Sequence, residues 1–371
     1  MIDKLFVKYH GRLVGTLAIA KTNEIFFQYD DSWIQDGFSL NPFKLPLNKN
    51  LFKATSPYFG GLFGVFADSL PDNYGHLIID RYLTRTGIEL SSLNPLDKLS
   101  IIGENGMGAL TYEPASFEAW DRSRYDLDSL QEDVTELLES REIKDIDSLF
   151  RLGGSSGGSR PKALVTMDGE EYLVKFLSRL DPPDIAQNEF DYMNLARSVG
   201  IDVPECRLVE TPKGNRLFAI KRFDRDGERR IHMVSAAGLL EFDFWVPSLD
   251  YNDLLKLTEI LTRNKKDVIE MYRRMVFNVV FENLDDHGKN FSFLYDEKRR
   301  MYVLAPAYDL TKSMTYYGEH TTSVNGKGKD ITDEDMLAVA KKANLDLRIA
   351  KDIIQTIRQA YEEYHSKPSV E

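Results

Sequence analysis

The chain of 371 residues contains a single cysteine, Cys206, so an intramolecular disulfide bond is excluded. A lone cysteine is typical of proteins from a reducing compartment. The sequence also lacks any apolar run near the roughly 20 residues that a membrane-spanning helix needs. Its first residues, which include Asp3 and Lys4, are too charged for a signal peptide. We therefore predict a cytoplasmic protein with no membrane segment.

The sequence also has no excess of basic over acidic residues. The chain carries 59 acidic against 47 basic residues, which gives a formal net charge of −12. A surface built mainly to bind nucleic acid or an anionic membrane is therefore not expected. The hydrophobic fraction of 42% is ordinary for a globular protein, and the length indicates two or three domains.

The most informative stretch is a polar loop between two apolar segments. Residues 275–281 indicate the end of a buried helix, and residues 291–295 alternate as a strand does. Between them, Asp285 and Asn290 are separated by four residues. The same interval occurs in the catalytic loop of protein kinases, where the Asp accepts the hydroxyl proton and the Asn binds magnesium. The alternative is a helix end with solvated charges, because the interval alone is weak evidence.

A second unusual stretch, residues 153–162, is rich in glycine and serine and precedes a predicted β-hairpin with its turn at Asp168-Gly169. Glycines let backbone N–H groups approach phosphate oxygens closely. Lys175 lies in the second strand of this hairpin. The nucleotide-binding lysine in the small lobe of a kinase occupies a similar position. A Walker loop is excluded because Ser159-Arg160 stands where Lys-Ser/Thr is required. A flexible linker is the alternative interpretation.

Three further positions complete the pattern. Glu189, on a helix predicted over residues 185–196, is the candidate ion-pair partner of Lys175, although an isolated helical glutamate is more often exposed to solvent. A strand from residue 216 runs into Arg222-Phe223-Asp224, where a kinase hinge would hold adenine. Asp309 follows the second strand of the hairpin after the polar loop, which is the position of a magnesium-binding aspartate in kinases.

Periodicity predicts a mixture of strands and helices along the rest of the chain. Strands are expected at residues 5–9, 13–19, 25–29, 163–167, 171–176, 291–295 and 301–304. Helices are expected at residues 74–86, 128–138, 251–261, 266–281, 334–342 and 345–364.

In this order, the segments resemble the HipA family, the toxin kinases of bacterial toxin–antitoxin pairs, over nearly the whole chain. The resemblance is carried by residues 66–72, 160–162, 172–176, 188–190, 222–225, 285–291 and 305–310. It implies an α+β, two-lobed protein-kinase-like fold with an N-terminal β-rich subdomain and a mostly helical C-terminal lobe. The expected domains are residues 1–145 for the N-terminal subdomain, 146–227 for the small lobe and 228–371 for the helical catalytic lobe.

The resemblance also implies ATP and Mg²⁺ as cofactors. Asn290 and Asp309 would bind magnesium, and Asp285 would be the base, preferred to Asp286 because only Asp285 keeps the interval to Asn290. His287 would fix the loop, and Lys289 would touch the γ-phosphate. The expected nucleotide-binding residues are Ser155, Ser156, Gly157, Gly158, Lys162, Lys175, Glu189, Arg222, Phe223 and Asp224.

Regulation and partners follow from the same resemblance. Autophosphorylation is expected at Ser155 rather than Ser156. The implied partner is a HipB-like DNA-binding antitoxin, with operator DNA reached only through it, and the implied substrate is a translation protein such as an aminoacyl-tRNA synthetase. Residues 230–235 lack an acidic residue that many relatives carry, which leaves the choice of substrate open.

Three alternatives from other functional classes stay open. The D-x-H-x-x-N pattern of residues 285–290 permits a kinase of a small molecule or lipid. A non-catalytic nucleotide-binding module would act through its partner. A metal-dependent phosphohydrolase would use Asp285, Asp286 and His287 as ligands.

Overall fold

The computed structural model describes residues 1–118, 120–139, 141, 143–155, 157–242, 248–315 and 317–366. The chain divides into two compact units. The first comprises Met1–Gln187, Glu205–Val234 and Gly238–Glu241, and the second comprises Asn188–Pro204, Ser235–Ala237 and Phe242–Glu371. In the described part of the chain, no helix combines the length and the apolar character that crossing a bilayer requires. The domain boundaries expected at residues 145 and 227 stay predictions.

The first unit begins with an antiparallel sheet of five strands. They are β1 (Lys4–Tyr9), β2 (Arg12–Ile19), β3 (Ile25–Tyr29), β4 (Phe52–Lys53) and β5 (Leu110–Glu113), in the order β4-β3-β2-β1-β5. Every second residue of β1, namely Leu5, Val7 and Tyr9, is buried, as the alternation of side chains along a strand requires. The three strands predicted at the start of the chain are therefore confirmed.

A second antiparallel sheet of the first unit contains the predicted hairpin. Its strands are β6 (Lys162–Met167), β7 (Glu170–Lys175), β8 (Cys206–Glu210) and β9 (Arg216–Lys221), in the order β6-β7-β9-β8. Asp168 and Gly169 join β6 to β7 with φ angles of +54° and +81°. A two-residue turn with both central φ angles positive matches the right-handed twist of the flanking strands. A short pair, β10 (Arg225–Asp226) and β11 (Arg229–Arg230), follows.

The first unit also contains helices. They are α1 (Asp31–Asp36), α2 (Gly64–Ala67), α3 (Asn73–Arg85), α4 (Pro95–Ile102), α5 (Leu127–Leu138) and α6 (Ile146–Gly153). Side chains of α3, α5 and α6 share one hydrophobic core with β6, β7 and β9, including Ile78, Val134, Phe150, Val165 and Val174. The sequence patterns missed α6, a short helix whose N-cap, Asp145, accepts a hydrogen bond from the backbone N–H of Ser148 at 2.9 Å.

The second unit is mainly helical. Three elements straddle the division between the units: α7 (Ile185–Ser198), β12 (Met233–Ser235) and α8 (Ala236–Leu240). The remaining helices are α9 (Tyr251–Thr262), α10 (Lys265–Val280), α11 (Asp333–Lys342) and α12 (Leu347–Ser366). The remaining strands are β13 (Leu249–Asp250), β14 (Ser292–Asp296), β15 (Met301–Leu304) and β16 (Thr322–Ser323); β14 pairs antiparallel with β15, and β13 pairs parallel with β16.

Local capping determines where α9 and α10 begin. The Asp250 side chain accepts from the backbone N–H of Asn252 at 2.8 Å, and the Asn264 side chain accepts from that of Lys266 at 3.1 Å. Such caps satisfy N–H groups that have no partner inside the helix. At the other end of α10, Phe277 stacks on Phe281 with ring centres 4.4 Å apart. This buried end of α10 leads directly into the polar loop.

Candidate functional site

The glycine- and serine-rich loop of the first unit is shorter than predicted. Gly153 is the last residue of α6 and Lys162 is the first residue of β6, so the loop covers residues 154–161. A β-carbon at Gly153 would lie 2.8 Å from the side chain of Ile78 and 3.0 Å from the Lys162 carbonyl oxygen. The helix therefore extends one residue into the predicted loop and ends at a position where a larger residue would crowd Ile78 and Lys162. Ser156 lies outside the described residues.

Asp72 holds the second half of the loop. Its Oδ2 accepts a hydrogen bond from the backbone N–H of Gly158 at 2.7 Å. Gly158 has a φ of +84°, which favours glycine, and a β-carbon there would collide with Nζ of Lys162. Gly158 thus donates its backbone N–H to the Asp72 carboxylate, and its α-carbon packs against the ammonium group of Lys162.

Lys162 and Lys175 are directly opposite residues of β6 and β7. Opposite residues of antiparallel strands project to one face with β-carbons about 4.5–5.5 Å apart. Lys162 is 5% exposed, and Nζ of Lys175 lies 5.8 Å from the centre of the Phe218 ring. Two like charges directly opposite each other reduce the stability of a sheet. Features that reduce local stability in this way occur most often at functional sites. Two lysines on one face beside a glycine loop form an arrangement that can bind phosphate groups.

Ser155, the predicted modification site, is only 1% exposed. Its Oγ accepts a hydrogen bond from Nη2 of Arg122 at 3.3 Å. Arg122 also pairs with Glu171 at 3.2 Å. Burial and the neighbouring charge of Arg222 lower the pKa of Arg122 to about 9. Ser155 is therefore enclosed beside a buried guanidinium group rather than displayed on the loop.

Arg222 and Asp224 form the centre of a buried ion-pair cluster. Nε and Nη2 of Arg222 donate to the two carboxylate oxygens of Asp224 at 2.9 and 2.7 Å. Nη1 of Arg222 reaches Glu171 at 2.8 Å, Arg225 pairs with Asp224 at 2.8 Å, and the backbone N–H of Gly108 donates to Asp224 at 2.7 Å. Burial would raise the pKa of Asp224, but the charges of Arg222 and Arg225 outweigh it and hold that pKa well below its usual range.

This cluster gives two of the predicted adenine-site residues a structural role that the sequence did not indicate. Arg222 is 4% exposed and Asp224 is 1% exposed, whereas Phe223 between them is half-buried. Both charged side chains are committed to bonds within the first unit. A part for these three residues in nucleotide binding stays a prediction.

Glu189 lies on α7 and is 3% exposed, so the interpretation of a solvated glutamate is wrong. Lys175 belongs to the first unit and Glu189 to the second. The ion pair expected between them stays a prediction.

The polar loop of the second unit brings Asp285 and Asn290 into contact. Nδ2 of Asn290 donates to the carbonyl oxygen of Asp285 at 2.9 Å. The Asp285 side chain is 59% exposed, and Nε2 of His287 lies 4.0 Å from its Oδ1. An exposed carboxylate can meet a substrate hydroxyl, which is the first requirement for a general base.

Asp286 has the opposite environment. It is 0% exposed, and its carboxylate accepts from the Tyr251 hydroxyl at 2.7 Å and from the backbone N–H of Thr322 at 3.0 Å. Nδ1 of His320 lies 3.0 Å from the same carboxylate. A carboxylate enclosed by three partners cannot reach a substrate, so the surroundings of the two acids favour Asp285 as the base.

Asp309 is connected to the polar loop by two residues. Nδ2 of Asn283 donates to the carbonyl oxygen of Asp309 at 3.3 Å. Oγ of Ser313 accepts from the backbone N–H of Asp285 at 2.9 Å and donates to Oδ1 of Asn283 at 2.9 Å. Asp309 has a φ of +56°, a left-handed conformation that is uncommon for residues other than glycine and that aspartate tolerates.

Asn290 and Asp309 offer the type of donor that Mg²⁺ prefers. Magnesium is commonly bound through one or two protein oxygens, with phosphate oxygens and waters completing its coordination. Since Asn290 directs Nδ2 to Asp285, its Oδ1 is the atom that can bind a cation. Among the described residues, no group of three or more His, Cys, Asp or Glu side chains could hold a metal. The donor types of Asn290 and Asp309 fit magnesium, and a magnesium site formed by these two residues stays a prediction.

Lys289 and His287 lie on either side of Gly288. A β-carbon at Gly288 would collide with the ring of Phe242. The carbonyl oxygen of Lys289 accepts a hydrogen bond from the hydroxyl of Tyr308, the residue before Asp309. The loop backbone is fixed at this point, and the roles expected for the Lys289 and His287 side chains stay predictions.

Comparisons with known proteins point to one family. A family model described as the HipA-like C-terminal domain matches residues 154–364, and one described as the HipA N-terminal domain matches residues 5–113. "Putative kinase Y4dM" of Sinorhizobium fredii is 28% identical over 400 residues, which covers 98% of this chain and 91% of that protein. The serine/threonine-protein kinase toxin HipA of Shewanella oneidensis is 24% identical over 318 residues, which covers 76% of this chain and 69% of that protein.

A solved structure has the same fold. HipA in the Shewanella oneidensis complex of HipA, HipB and operator DNA matches with a TM-score of 0.72 at 19% identity, covering 99% of this chain and 92% of that chain. The expected α+β, protein-kinase-like fold is confirmed by this match.

Proposed function

This chain belongs to the HipA family, and from that premise we propose that it is an ATP- and Mg²⁺-dependent serine/threonine-protein kinase. The observation that carries the proposal is the arrangement of Asp285, Asn290 and Asp309 in the second unit. Asp285, whose carboxylate is exposed, accepts a hydrogen bond from Asn290 at its backbone carbonyl oxygen. Asn283 and Ser313 link this loop to the backbone of Asp309. Kinases use a base and two magnesium-binding side chains of these types.

Nucleotide binding is assigned to the first unit. Lys162 and Lys175 would neutralise phosphate charge, because their opposed positions place two ammonium groups on one face. Backbone N–H groups of the loop from Ser155 to Gly158 would bind phosphate oxygens. A bound phosphate would compete with Asp72 for the Gly158 N–H. Glu189 is proposed as the ion-pair partner of Lys175.

Phosphoryl transfer is assigned to the polar loop. Asp285 would orient the acceptor hydroxyl and take its proton as the hydroxyl oxygen attacks the γ-phosphorus and ADP leaves. Asn290 and Asp309 would hold the magnesium ion. When bound, this ion offsets the charge that develops on the transferred group. Lys289 would contact the γ-phosphate, and His287 would support the loop.

The buried state of Asp286 weighs against a metal-dependent phosphohydrolase. That mechanism needs Asp286 as a ligand together with Asp285 and His287. The Asp286 carboxylate is instead enclosed and bonded to Tyr251, Thr322 and His320.

We further propose that the protein is the toxin of a toxin–antitoxin pair in the cytoplasm. The proposed partner is a HipB-like antitoxin, as in the Shewanella oneidensis complex, and it would provide the contact with operator DNA. The proposed substrate is a protein of translation, such as an aminoacyl-tRNA synthetase. Ser155 is proposed as the autophosphorylation site, and since it is 1% exposed, the loop would have to leave its position before phosphate is transferred to it.

Incubation of the purified protein with γ-labelled ATP, Mg²⁺ and a cell lysate tests this function. We expect a labelled protein band, with label on Ser155 detected by mass spectrometry. Asp285→Ala should abolish transfer while nucleotide binding survives, because the base is lost and the first unit is untouched. Asp352→Asn, on the exposed side of α12, is the matched control and should transfer as the unmodified chain does. Equal turnover in Asp285→Ala would sink the assignment, and a labelled small molecule would identify a small-molecule or lipid kinase instead.

A further inference from the structure

The second unit contains a buried network of polar side chains beside the polar loop. The Tyr251 hydroxyl accepts from Nδ2 of Asn278 at 2.9 Å and donates to Oδ2 of Asp286 at 2.7 Å. Nδ1 of His320 lies 3.0 Å from the same oxygen, and the backbone N–H of Thr322 donates to Oδ1 at 3.0 Å. None of these five residues is more than 5% exposed. An ionised carboxylate only accepts hydrogen bonds, so a bond from His320 to an ionised Asp286 requires the tautomer that carries a proton on Nδ1.

This network extends to both functional segments of the second unit. At one end, Asp286 is the residue next to Asp285, and its carbonyl oxygen accepts from the Thr322 hydroxyl. At the other end, Oδ1 of Asn278 accepts from Nδ2 of Asn283 at 3.0 Å, and Asn283 also donates to the carbonyl oxygen of Asp309. A chain of hydrogen bonds thus runs from Asp286, the covalent neighbour of the proposed base, through Tyr251, Asn278 and Asn283 to the backbone carbonyl oxygen of Asp309.

We propose that His320 is a positioning residue for phosphoryl transfer, acting through its hydrogen bond to Asp286. The proposal rests on the proposed kinase function. Asp285 and Asp286 share a peptide unit, so anchoring the buried Asp286 carboxylate helps to hold the backbone from which the Asp285 side chain projects. His320 supplies one of the three donors that fix this orientation.

Two features separate positioning from simple stabilisation. Without His320, Asp286 keeps the donors of Tyr251 and Thr322, so its carboxylate stays paired and the unit is expected to fold. Oδ2 then has one donor instead of two, so the carboxylate is held less rigidly. Misplacement of a catalytic group by a fraction of an ångström lowers the rate of reaction. A buried network in which every hydrogen bond is made holds its side chains in a single geometry. Without the His320 hydrogen bond, the network around Asp286 is expected to be less rigid.

The test compares His320→Ala with His320→Asn, whose side-chain nitrogen can occupy the place of Nδ1. We expect His320→Ala to lower kcat about 10- to 100-fold, the size of effect seen when a residue that positions an active-site group is removed, with KM for ATP unchanged. Hydrogen exchange of residues 283–291, followed by mass spectrometry, should become faster in this variant. In His320→Asn, both kcat and the hydrogen exchange of residues 283–291 should be close to those of the unmodified chain. His365→Ala, at an exposed position of α12, is the matched control.

Wild-type kcat and wild-type exchange in His320→Ala would overturn the proposal, as would equal impairment of His320→Asn and His320→Ala. If the unmodified chain transfers no phosphate, the kinase proposal fails by itself. The exchange of residues 283–291 then still decides whether His320 positions the loop, since faster exchange supports the role and unchanged exchange contradicts it. Tyr251→Phe removes a different donor to the same oxygen and should reproduce the effect, so normal exchange in that variant also refutes the network's role.

Discussion

Asp224→Asn tests whether the buried cluster of the first unit is structural. The substitution keeps the shape of the side chain and removes one of the two negative charges that face Arg222, Arg225 and Arg122, leaving Glu171 as the other. Breaking a buried ion pair by removing one partner costs about 3–5 kcal/mol, because an uncompensated charge is left behind. An amide oxygen still accepts a bond from Arg222, so we expect the lower end, about 3 kcal/mol.

Urea unfolding followed by tryptophan fluorescence measures this effect, with Trp33 and Trp120 as reporters in the first unit. For an m-value of about 2 kcal/mol/M, a loss of about 3 kcal/mol lowers the midpoint by about 1.5 M. Asp346→Asn is the control, since Asp346 pairs with Arg348 on the surface at 2.9 Å. Exposed pairs contribute little, so its midpoint should not move. A midpoint for Asp224→Asn equal to that of the unmodified chain would refute the reasoning.

The difference in urea midpoint between the unmodified chain and Asp224→Asn should depend on pH in a way that follows from the direction of the Asp224 pKa shift. The folded-state pKa of Asp224 is lowered, so its contribution is fully present above the unfolded pKa of about 4 and is lost as pH falls through the folded pKa. The midpoint difference should therefore be constant between pH 6 and pH 8 and shrink only in acid. A difference that fades already near pH 6 would contradict the lowered pKa.

Two predictions concern the nucleotide loop. Lys175→Met should weaken ATP binding about tenfold or more by calorimetry, because a charge-assisted bond to phosphate is lost, while Lys256→Met on an exposed position of α9 should not. Asp72→Ala should speed hydrogen exchange at residues 154–161, since the Gly158 N–H loses its acceptor. Unchanged ATP affinity in Lys175→Met would show that this lysine does not contribute to nucleotide binding. Unchanged hydrogen exchange in Asp72→Ala would show that the loop is held by other contacts.

Local patterns predicted the long helices and the hairpins. α9, α10 and α12 begin and end within three residues of their expected bounds, because their apolar periodicity and their caps lie within a few residues of each other. The pairing of Lys162 with Lys175 is also a local property. A two-residue turn at Asp168-Gly169 makes residues equally distant from it face each other, and these lysines are six positions away on either side.

Short or packed elements were not predictable in the same way. α6 has only eight residues, and its burial depends on α3 and the second sheet rather than on a long periodic pattern. The end of α6 at Gly153 depends on the close approach of Ile78 and Lys162. Contacts of this kind join residues far apart in sequence, so no local pattern reports them.

By itself, the sequence determined which residue types stand at kinase-like intervals, since Asp285, Asn290 and Lys175 were found from spacing and from neighbouring strands. Only the tertiary structure decided which of the two adjacent acids is exposed. Asp286 is buried because Tyr251, His320 and Thr322 close around it from segments 34 to 36 residues away. A carboxylate is removed from water only where donors replace the lost hydration, and those donors are brought together by the folded chain.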